Sequence, residues 1–193
     1  MTVAAGWREW QLGDLFTERV ETGRTDLPLL SITGDRGVIP RDELERRDVS
    51  KADKSKYLRI APGDIGYNTM RMWQGMSALS SLEGIVSPAY TICIPGPDIR
   101  GPFAAHLFKL PSVIHLFHRY SQGLVKDTLN LKFPQFAKIR LTIPGVEEQK
   151  RIAEVLSALD REIRLLEPLR TALDQQRSGV ADLLLTGRVR VPT

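Results

Sequence analysis

A helical pattern that begins after Pro144 restricts the fold of this 193-residue chain more than any other part of its sequence. Gly145 is followed by Glu147 and Glu148, two acids that would lie at the positive end of a helix dipole. Apolar residues then recur every three or four positions, with one polar interruption, as in a heptad repeat. They are Ile152, Leu156, Leu159, Ile163, Leu166, Leu169, Leu173, Val180 and Leu184. A helix over 147–185 would be about 58 Å long, nearly twice the span of a small domain, so we expect it to project.

Two positions interrupt the regularity of this helix, and two interpretations of its apolar stripe follow. Pro168 lacks a backbone donor and crowds the preceding turn, so we expect a kink there, and Ser178-Gly179 is a second weak point. The helix either folds back on its own domain, bent at Pro168, or forms half of a coiled coil whose partner lies elsewhere. Flanking charges and the lack of a second helix of matching length favour the coiled coil.

The sequence before Pro144 is a mixture of short elements. Apolar runs such as "LPLLSIT", "GIVSPAYTICIPG" and "AKIRLTIPG" are separated by Gly and Pro, which is typical of strands and turns. "GPFAAHLFKLPSVIHLFHRYSQG" has helical spacing around Pro111 and ends on Gly123, and "RDELERRDVSKADK" indicates an acid-rich helix or turn. The sequence therefore predicts an α+β fold: a mixed or mostly antiparallel β-sheet with short helices, followed by one long C-terminal helix in an antiparallel coiled coil.

The net charge of +4 is unevenly distributed along the chain. Residues 1–146 contain 19 basic and 15 acidic residues, whereas the remainder contains eight of each. Two stretches are locally basic: residues 51–59 hold four basic residues and one acid, and residues 100–140 hold seven and one. Such stretches suit a surface that binds a polyanion such as nucleic acid, although solvated lysines on any surface give the same pattern.

The composition of the sequence restricts the cellular compartment that we expect and the disulfide and metal sites that the chain can form. No stretch approaches the roughly 18 consecutive apolar residues of a membrane span, and the N-terminus lacks an apolar signal core, so we expect a cytoplasmic protein without a membrane partner. The single cysteine, Cys93, excludes an intrachain disulfide and a multi-cysteine zinc site. Its neighbours, "YTICIPG", predict a strand residue packed in the core.

Motifs of enzymes are largely missing from the sequence. There is no Gly-rich phosphate loop, no G-x-S-x-G and no Asn/Asp-Pro-Pro-aromatic motif of an adenine methyltransferase. His106, His115 and His118 fall in one helical stretch without a nearby cysteine, which favours polar-face residues over metal ligands. Two rival interpretations stay open: a small metal-dependent nuclease that uses Asp98 and Glu148, and a helical scaffold whose basic stretches are incidental.

The segment "NTMRMWQG", Asn68 to Gly75, is the strongest candidate for a binding motif. Asn68, Arg71 and Gln74 have paired donors and acceptors that suit guanine or adenine edges, and each good bidentate contact supplies about 1–3 kcal/mol of discrimination. The segment also alternates like a strand, with even-numbered residues on one face, odd-numbered residues on the other, and one face in the core. The pattern therefore fits a structural role as well as a binding role.

Several segments together resemble the specificity (S) subunits of type I restriction-modification systems. They are "WREWQLGDLF", "YLRIAPGDIGYNTMRMWQG", "GIVSPAYTICIP" and "IPGVEEQKRIAEVLSALDREI" running to "DLLLTGRVRV". The resemblance covers nearly the whole chain. Its most specific pieces are "EEQKRIAEVLSALD", which resembles the opening of that family's long helix, and "NTMRMWQG...SPAY", which resembles one branch of its target recognition domains.

The resemblance implies a non-catalytic subunit that reads DNA. It implies a target recognition domain over 1–145, a long helix over 146–186 for dimerisation and for docking methyltransferase subunits, and a tail over 187–193. The usual subunit has two such units in tandem, with their helices antiparallel. This sequence resembles a half-length form with a single target recognition domain, from Met1 to the terminal "LLTGRVRV".

A second copy of the chain is the simplest partner for the apolar stripe, because a two-fold axis buries both stripes at once. We therefore expect an antiparallel homodimer that directs adenine methylation and restriction to a bipartite, palindromic site. The resemblance implies double-stranded DNA, methyltransferase (M) subunits and, through the complex, restriction (R) subunits as partners. It places S-adenosylmethionine, ATP and Mg on those subunits and no cofactor in this chain.

The candidate DNA-binding residues fall in the turn-rich "TGDRGVIPRDEL", the basic "KADKSK", "NTMRMWQG" and "GLVKDTLNLKF". Lysines would contact phosphates, and the polar side chains of "NTMRMWQG" would lie near base edges. For each, a solvated surface residue, or for Trp73 a core aromatic, is an equally good explanation. The candidates are Arg36, Arg41, Lys51, Lys54, Lys56, Asn68, Arg71, Trp73, Gln74, Lys126, Asn130 and Lys132.

Overall fold

The structure, a computed structural model, describes residues 6–44 and 53–191. It divides into two compact units, Met1–Ala153 and Glu154–Thr193. All strands of the described chain lie in the first unit, and the second unit is a continuation of one helix followed by a short tail.

The first unit is built from short antiparallel strands. The central sheet has four strands in the order β2-β9-β6-β7, and three further pairs, β1-β10, β3-β4 and β5-β8, surround it. The strands of the described ranges are β1 (Arg8–Gln11), β2 (Phe16–Glu18), β3 (Leu30–Ile32), β4 (Val38–Pro40), β5 (Leu58–Ile60), β6 (Ile65–Asn68), β7 (Ser77–Leu79), β8 (Gly84–Val86), β9 (Tyr90–Pro95) and β10 (Arg140–Ile143). The α+β prediction is confirmed.

Helices fill the gaps between these strands. They are α1 (Leu12–Leu15), α2 (Gly101–Leu107), α3 (Pro111–Tyr120), α4 (Phe133–Phe136) and α5 (Val146–Leu185). The predicted helical stretch around Pro111 is therefore two helices, and Pro111 begins the second because a helix start needs no N–H from that residue. Of the acid-rich stretch from Arg41, the first three residues form a 3-10 helix, Arg41–Glu43, and residues 45–52 lie outside the described part of the chain.

Apolar clusters cover both faces of the central sheet, and successive residues of a strand point alternately to one face and to the other. Cys93 of β9 belongs to one apolar cluster and its neighbour Ile92 to another. Cys93 is fully buried, as predicted, and this burial raises the pKa of its thiol well above the usual value. At Gly66 of β6 a Cβ atom would collide with the end of the Ile32 side chain, so a larger residue there would require Ile32 to shift.

The end of β6 is fixed by aromatic packing. The ring of Tyr67 stacks on Phe136 of α4 at a centroid distance of 5.3 Å, and Phe136 in turn meets Phe108 edge-on at 5.7 Å. Because Tyr67 is fully buried and Asn68 still pairs with Tyr90 of β9, the chain leaves the sheet at a defined point, directly after Asn68.

Helix α5 begins at Val146, as its start signals predict, and its first two turns belong to the first unit. Gln149 is fully buried there: its Nε2 donates to the carbonyls of Asp98 (3.0 Å) and Pro144 (2.9 Å), and its Oε1 accepts from the N–H of Arg100 (2.9 Å). Ala153 is also buried. The helix therefore starts from a fixed, hydrogen-bonded position.

The second unit continues this helix without a break through Pro168 to Leu185. Gly187 then takes the left-handed conformation, with φ of 74°, and its N–H donates to the carbonyl of Leu184 at 3.2 Å, which ends the helix. The predicted stripe divides in two. Ile152 packs against the core of the first unit, whereas the remaining members are exposed, between 37% and 57%: Leu156, Leu159, Ile163, Leu166, Leu169, Leu173, Val180 and Leu184.

Candidate nucleic-acid interface

A cleft of about 590 Å³ in the first unit brings together candidates that are far apart in the sequence. Arg41, Lys56 and Asn68, three of the predicted DNA-binding residues, line it. They come from the 3-10 helix after β4, from the loop before β5 and from the end of β6. The other lining residues are Leu29, Leu30, Ser31, Asp53, Tyr57, Ser87, Pro88, Ala89 and Tyr90.

The charge of the cleft is mixed but basic on balance. Arg41 donates from its guanidinium to the Ser31 hydroxyl at 3.1 Å, and Lys56 is exposed. Asp53 is the acid of the lining, and hydrogen bonds from Ser55 hold its pKa below the usual value. The carboxylate is therefore ionised near neutral pH and offsets one of the two cations.

Asn68 is the last residue of β6, and residues 69–75 leave the sheet, so the strand alternation predicted for the whole segment is wrong. Asn68 accepts from the N–H of Met70 through Oδ1 (3.0 Å) and from the N–H of Arg71 through its carbonyl (3.0 Å), which turns the chain. A 3-10 helix, Met72–Gln74, follows, and Gly75 ends it in the left-handed conformation with φ of 76°. Local side-chain bonding by Asn68 and the conformational freedom of Gly75 override the strand pattern.

Within this segment, core and surface roles fall to different residues. Met72 is fully buried. Arg71 and Gln74 are exposed and lie near each other, with 3.5 Å between Nη1 and Oε1. Trp73 is half-buried; its indole N–H donates to the carbonyl of Met70 at 2.9 Å, and its ring lies 6.0 Å from that of His118. Arg71 and Gln74 are thus available to a ligand, while the Trp73 side chain is engaged with the protein's own backbone and with His118.

Hydrogen bonds connect this segment to its neighbours. The N–H and hydroxyl of Thr69 both donate to the carbonyl of Ala89 (3.0 Å each), in the "SPAY" stretch that lines the cleft. The carbonyl of Thr69 accepts from the N–H of Leu131 at 2.8 Å. Leu131 belongs to "GLVKDTLNLKF", so three stretches singled out in the sequence are adjacent in the fold.

The candidates of "GLVKDTLNLKF" differ in their accessibility. Lys126 begins a 3-10 helix, Lys126–Thr128, and Lys132 is exposed. Asn130 is half-buried, and its backbone exchanges hydrogen bonds with that of Gln122 at 2.8 and 2.9 Å. Its Oδ1 atom is buried, so Asn130 is better placed to hold this loop than to contact a base.

Ion pairs occupy some basic residues of the candidate segments. Arg36 pairs with Glu43 at 3.0 Å, and Arg59 pairs with Glu21 at 2.9 Å and Glu83 at 2.6 Å. Lys54 is half-buried, and Lys51 lies outside the described residues. The local excess of positive charge in the sequence therefore overstates the charge available to DNA.

Two tyrosines of the cleft, Tyr57 and Tyr90, are absent from the predicted site. Tyr57 is buried and Tyr90 half-buried. Ser87 to Tyr90, the "SPAY" stretch, line the cleft. Tyr57 begins "YLRIAPGDIGYNTMRMWQG" and Tyr90 ends "SPAY", so both tyrosines lie in segments that carry the resemblance to specificity subunits.

Over residues 6–44 and 53–191, no three His, Cys, Asp or Glu side chains are grouped so that they would hold a metal ion. In the same ranges no helix has both the length and the apolar character that crossing a membrane requires. Asp98, a residue of the nuclease hypothesis, contacts Gln149 through its main-chain carbonyl.

Known proteins share both sequence and fold with this chain. Residues 102–175 match the family described as type I restriction modification DNA specificity domain. The type I restriction enzyme MjaVIII specificity subunit of Methanocaldococcus jannaschii is 31% identical over 65 residues, which are 34% of this chain and 15% of that protein.

Two solved structures have the same fold over 93% of this chain. The HsdS subunit from Thermoanaerobacter tengcongensis has a TM-score of 0.67 at 16% identity. A chain from a structural study of complex assembly and conformational transition of the type I R-M system has a TM-score of 0.62 at 14% identity. This chain spans 48% and 45% of those two chains, slightly under half of each. The family match over residues 102–175, the curated relative and the shared fold all point to the specificity subunits of type I restriction-modification systems, which this chain resembles.

Proposed function

We propose that this chain is the sequence-specific DNA-recognition subunit of a type I restriction-modification complex and has no catalytic role of its own. The observation that carries the proposal is the convergence of Arg41, Lys56 and Asn68 on one cleft, next to the exposed Arg71 and Gln74. Cationic side chains that position a duplex and amide or guanidinium groups that read bases are the two components that such recognition needs.

In this proposal the residues have separate tasks. Lys56 and Lys132 neutralise phosphates, whereas Arg71, Gln74 and Asn68 face base edges. Methyl transfer to adenine and ATP-driven restriction belong to M and R subunits, which bind S-adenosylmethionine, ATP and Mg. The exposed apolar residues of α5 support a docking role for this helix, either with M subunits or with a second copy of the chain.

The second copy would make the target site symmetric. Two identical recognition domains related by a two-fold axis must read identical half-sites, so an antiparallel homodimer would recognise a palindromic site interrupted by a spacer. The length of the helix between the two domains would set that spacer.

Single substitutions test the assignment of tasks. The wild-type chain is used to select duplexes from a randomised library, and affinities are then measured for the best duplex and a scrambled one across a range of salt concentrations. Lys56→Ala should weaken binding to both duplexes equally. It should also reduce the salt slope, the slope of log affinity against log salt concentration, by about 0.9, the value for one phosphate contact. Arg71→Ala should weaken chiefly the binding of the selected duplex, by about 1–3 kcal/mol. Lys138→Ala, which removes the same charge from an exposed residue outside the cleft, is the control.

Other outcomes would favour the rival functions. Equal affinities of wild type, Lys56→Ala and Arg71→Ala for every duplex would indicate a helical scaffold without its own DNA specificity. Divalent-metal-dependent cleavage of the duplex by the isolated chain, lost in Glu148→Ala, would indicate a nuclease.

A further inference from the structure

Lys109, in the short connection between α2 and α3, makes an unusual set of contacts for a surface lysine. Its Nζ donates to the carbonyl oxygens of Gly75 (2.7 Å), Ser77 (2.7 Å) and Gly34 (3.3 Å). An ammonium group has three donors and no acceptor. All three donors of Lys109 are therefore directed at the protein backbone, and none remains for a phosphate.

The three carbonyls belong to two different loops. Gly75 and Ser77 mark the end of the 3-10 helix 72–74 and the start of β7. Gly34 lies in the turn between β3 and β4, in which Thr33 N–H and hydroxyl both donate to the Gly37 carbonyl at 2.8 Å. Lys109 thus joins two segments that are about 40 residues apart in the chain but adjacent in the fold.

Each of the two loops carries candidate DNA-binding side chains, although Arg36 of the first loop is also ion-paired with Glu43. The turn holds Arg36, whose N–H donates to the Thr33 hydroxyl at 3.0 Å, and the other segment holds Arg71 and Gln74. The backbones of both loops are internally hydrogen-bonded, so fixing Gly34 and Gly75 fixes the positions from which these side chains extend.

The electrostatic surroundings of Lys109 agree with a fixed, inward-facing ammonium group. The residue as a whole is exposed, yet burial of its charged end lowers the pKa, and the nearby carboxylate of Asp35 acts in the opposite direction. A lysine that only covered the surface would keep its ammonium group in water. Geometry and desolvation therefore both indicate that Lys109 acts on the protein's own backbone.

We propose that Lys109 is a positioning residue for DNA specificity: it holds the Arg36 turn and the Arg71–Gln74 segment in one fixed arrangement without contacting DNA itself. This inference rests on the proposed function. It assigns a role to a residue that lies outside the cleft and is not among the candidate DNA-binding residues.

The test compares Lys109→Met, which keeps the apolar stem and removes the donors, with Lys138→Met, which removes the same charge at an exposed site. The probes are the duplex best enriched by the wild type and its scrambled version. In Lys109→Met, discrimination between the two should fall about tenfold, the contribution of one good base contact, while the salt slope on the scrambled duplex stays as in the control. Lys109→Arg keeps the charge but not the convergent donor geometry, and should restore discrimination only in part.

Amide hydrogen exchange of the free protein provides a readout that does not depend on DNA. In Lys109→Met, exchange should accelerate in both 33–37 and 69–77, and it should be unchanged in Lys138→Met. If the wild type shows no sequence preference, the proposed function fails, and exchange alone then decides whether Lys109 holds the two loops together.

Two results would overturn the role of Lys109. One is unchanged discrimination together with unchanged exchange. The other is an equal loss of affinity on both duplexes with a salt slope reduced by about 0.9, which would make Lys109 a direct phosphate contact.

Discussion

Single residues show why charge in the sequence is a weak guide to a DNA-binding surface. Arg59 lies in the most basic stretch of the sequence but contacts two carboxylates, those of Glu21 and Glu83. Arg19 makes a bidentate contact to Asp64, with 2.8 Å and 3.1 Å between nitrogen and oxygen atoms. Asp64 is 3% exposed and also accepts from the N–H of Ala61 at 2.8 Å. These arginines stabilise the sheet rather than face a ligand.

Asp64→Ala should therefore be strongly destabilising. It removes the acceptor of the Ala61 N–H and the bidentate partner of Arg19, which keeps only a longer contact to Glu21 at 3.6 Å. We expect the free energy of unfolding to fall by about 2–4 kcal/mol. Urea denaturation measures the change. Asp26→Ala is the matched control, because Asp26 makes a similar contact to Arg24, at 2.9 Å, on the open surface, and its loss should change stability little. Equal effects of the two substitutions would contradict this account.

At the scale of elements, the segment 68–75 and helix α5 behave differently. The heptad-like spacing of α5 extends over many turns, so the start and the course of the helix follow from the sequence. The segment 68–75 is too short for its alternation to decide the structure. One Asn side chain and one left-handed Gly convert the predicted strand into a turn and a 3-10 helix.

Gly75→Ala tests the importance of that left-handed position. A residue with a Cβ atom is disfavoured there by about 1–2 kcal/mol, and the new Cβ would lie 2.8 Å from Cδ1 of Ile114, so Ile114 must also shift. We expect a lower free energy of unfolding by urea denaturation and weaker discrimination between DNA duplexes, because Lys109 is bonded to the Gly75 carbonyl. Gly179→Ala is the contrasting variant: nothing lies within 4 Å of a Cβ atom there, and helix propensity should make it neutral or stabilising. A stabilised Gly75→Ala protein would refute the argument.

At the scale of the whole molecule, the exposed apolar stripe of α5 is the feature that the structure of a single chain does not explain. Eight apolar residues along one side of a helix, each at least 37% exposed, are an extensive apolar surface for a protein in water. Ile152, the first member of the predicted stripe, is used within the chain's own core, so a partner would cover the stripe from Leu156 onward.

The solution mass tests whether that partner is a second copy. Light scattering on the wild type should give about twice the mass of one chain, and Leu159→Asp combined with Leu166→Asp should return it to one, because buried carboxylates oppose association. Arg161→Asp changes the net charge by the same amount two residues away from Leu159, on the opposite side of the helix, and should leave the dimer intact. A wild-type monomer would remove the basis for a palindromic site and point to M subunits as the partner of this helix.

The α+β fold, the long helix with its start after Gly145, the buried Cys93 and the resemblance to specificity subunits can all be read from the amino-acid sequence. Each of these depends on a repeated spacing, a local start signal or a motif, all of which are present in neighbouring residues. Which residues meet follows from the three-dimensional fold: Arg41, Lys56 and Asn68 line one cleft, Thr69 is bonded to Leu131, and Lys109 is bonded to two loops. The same fold pairs Arg36 and Arg59 with acids. These relations join residues that are distant along the chain, and they arise from strand pairing and core packing, which short-range sequence patterns do not encode.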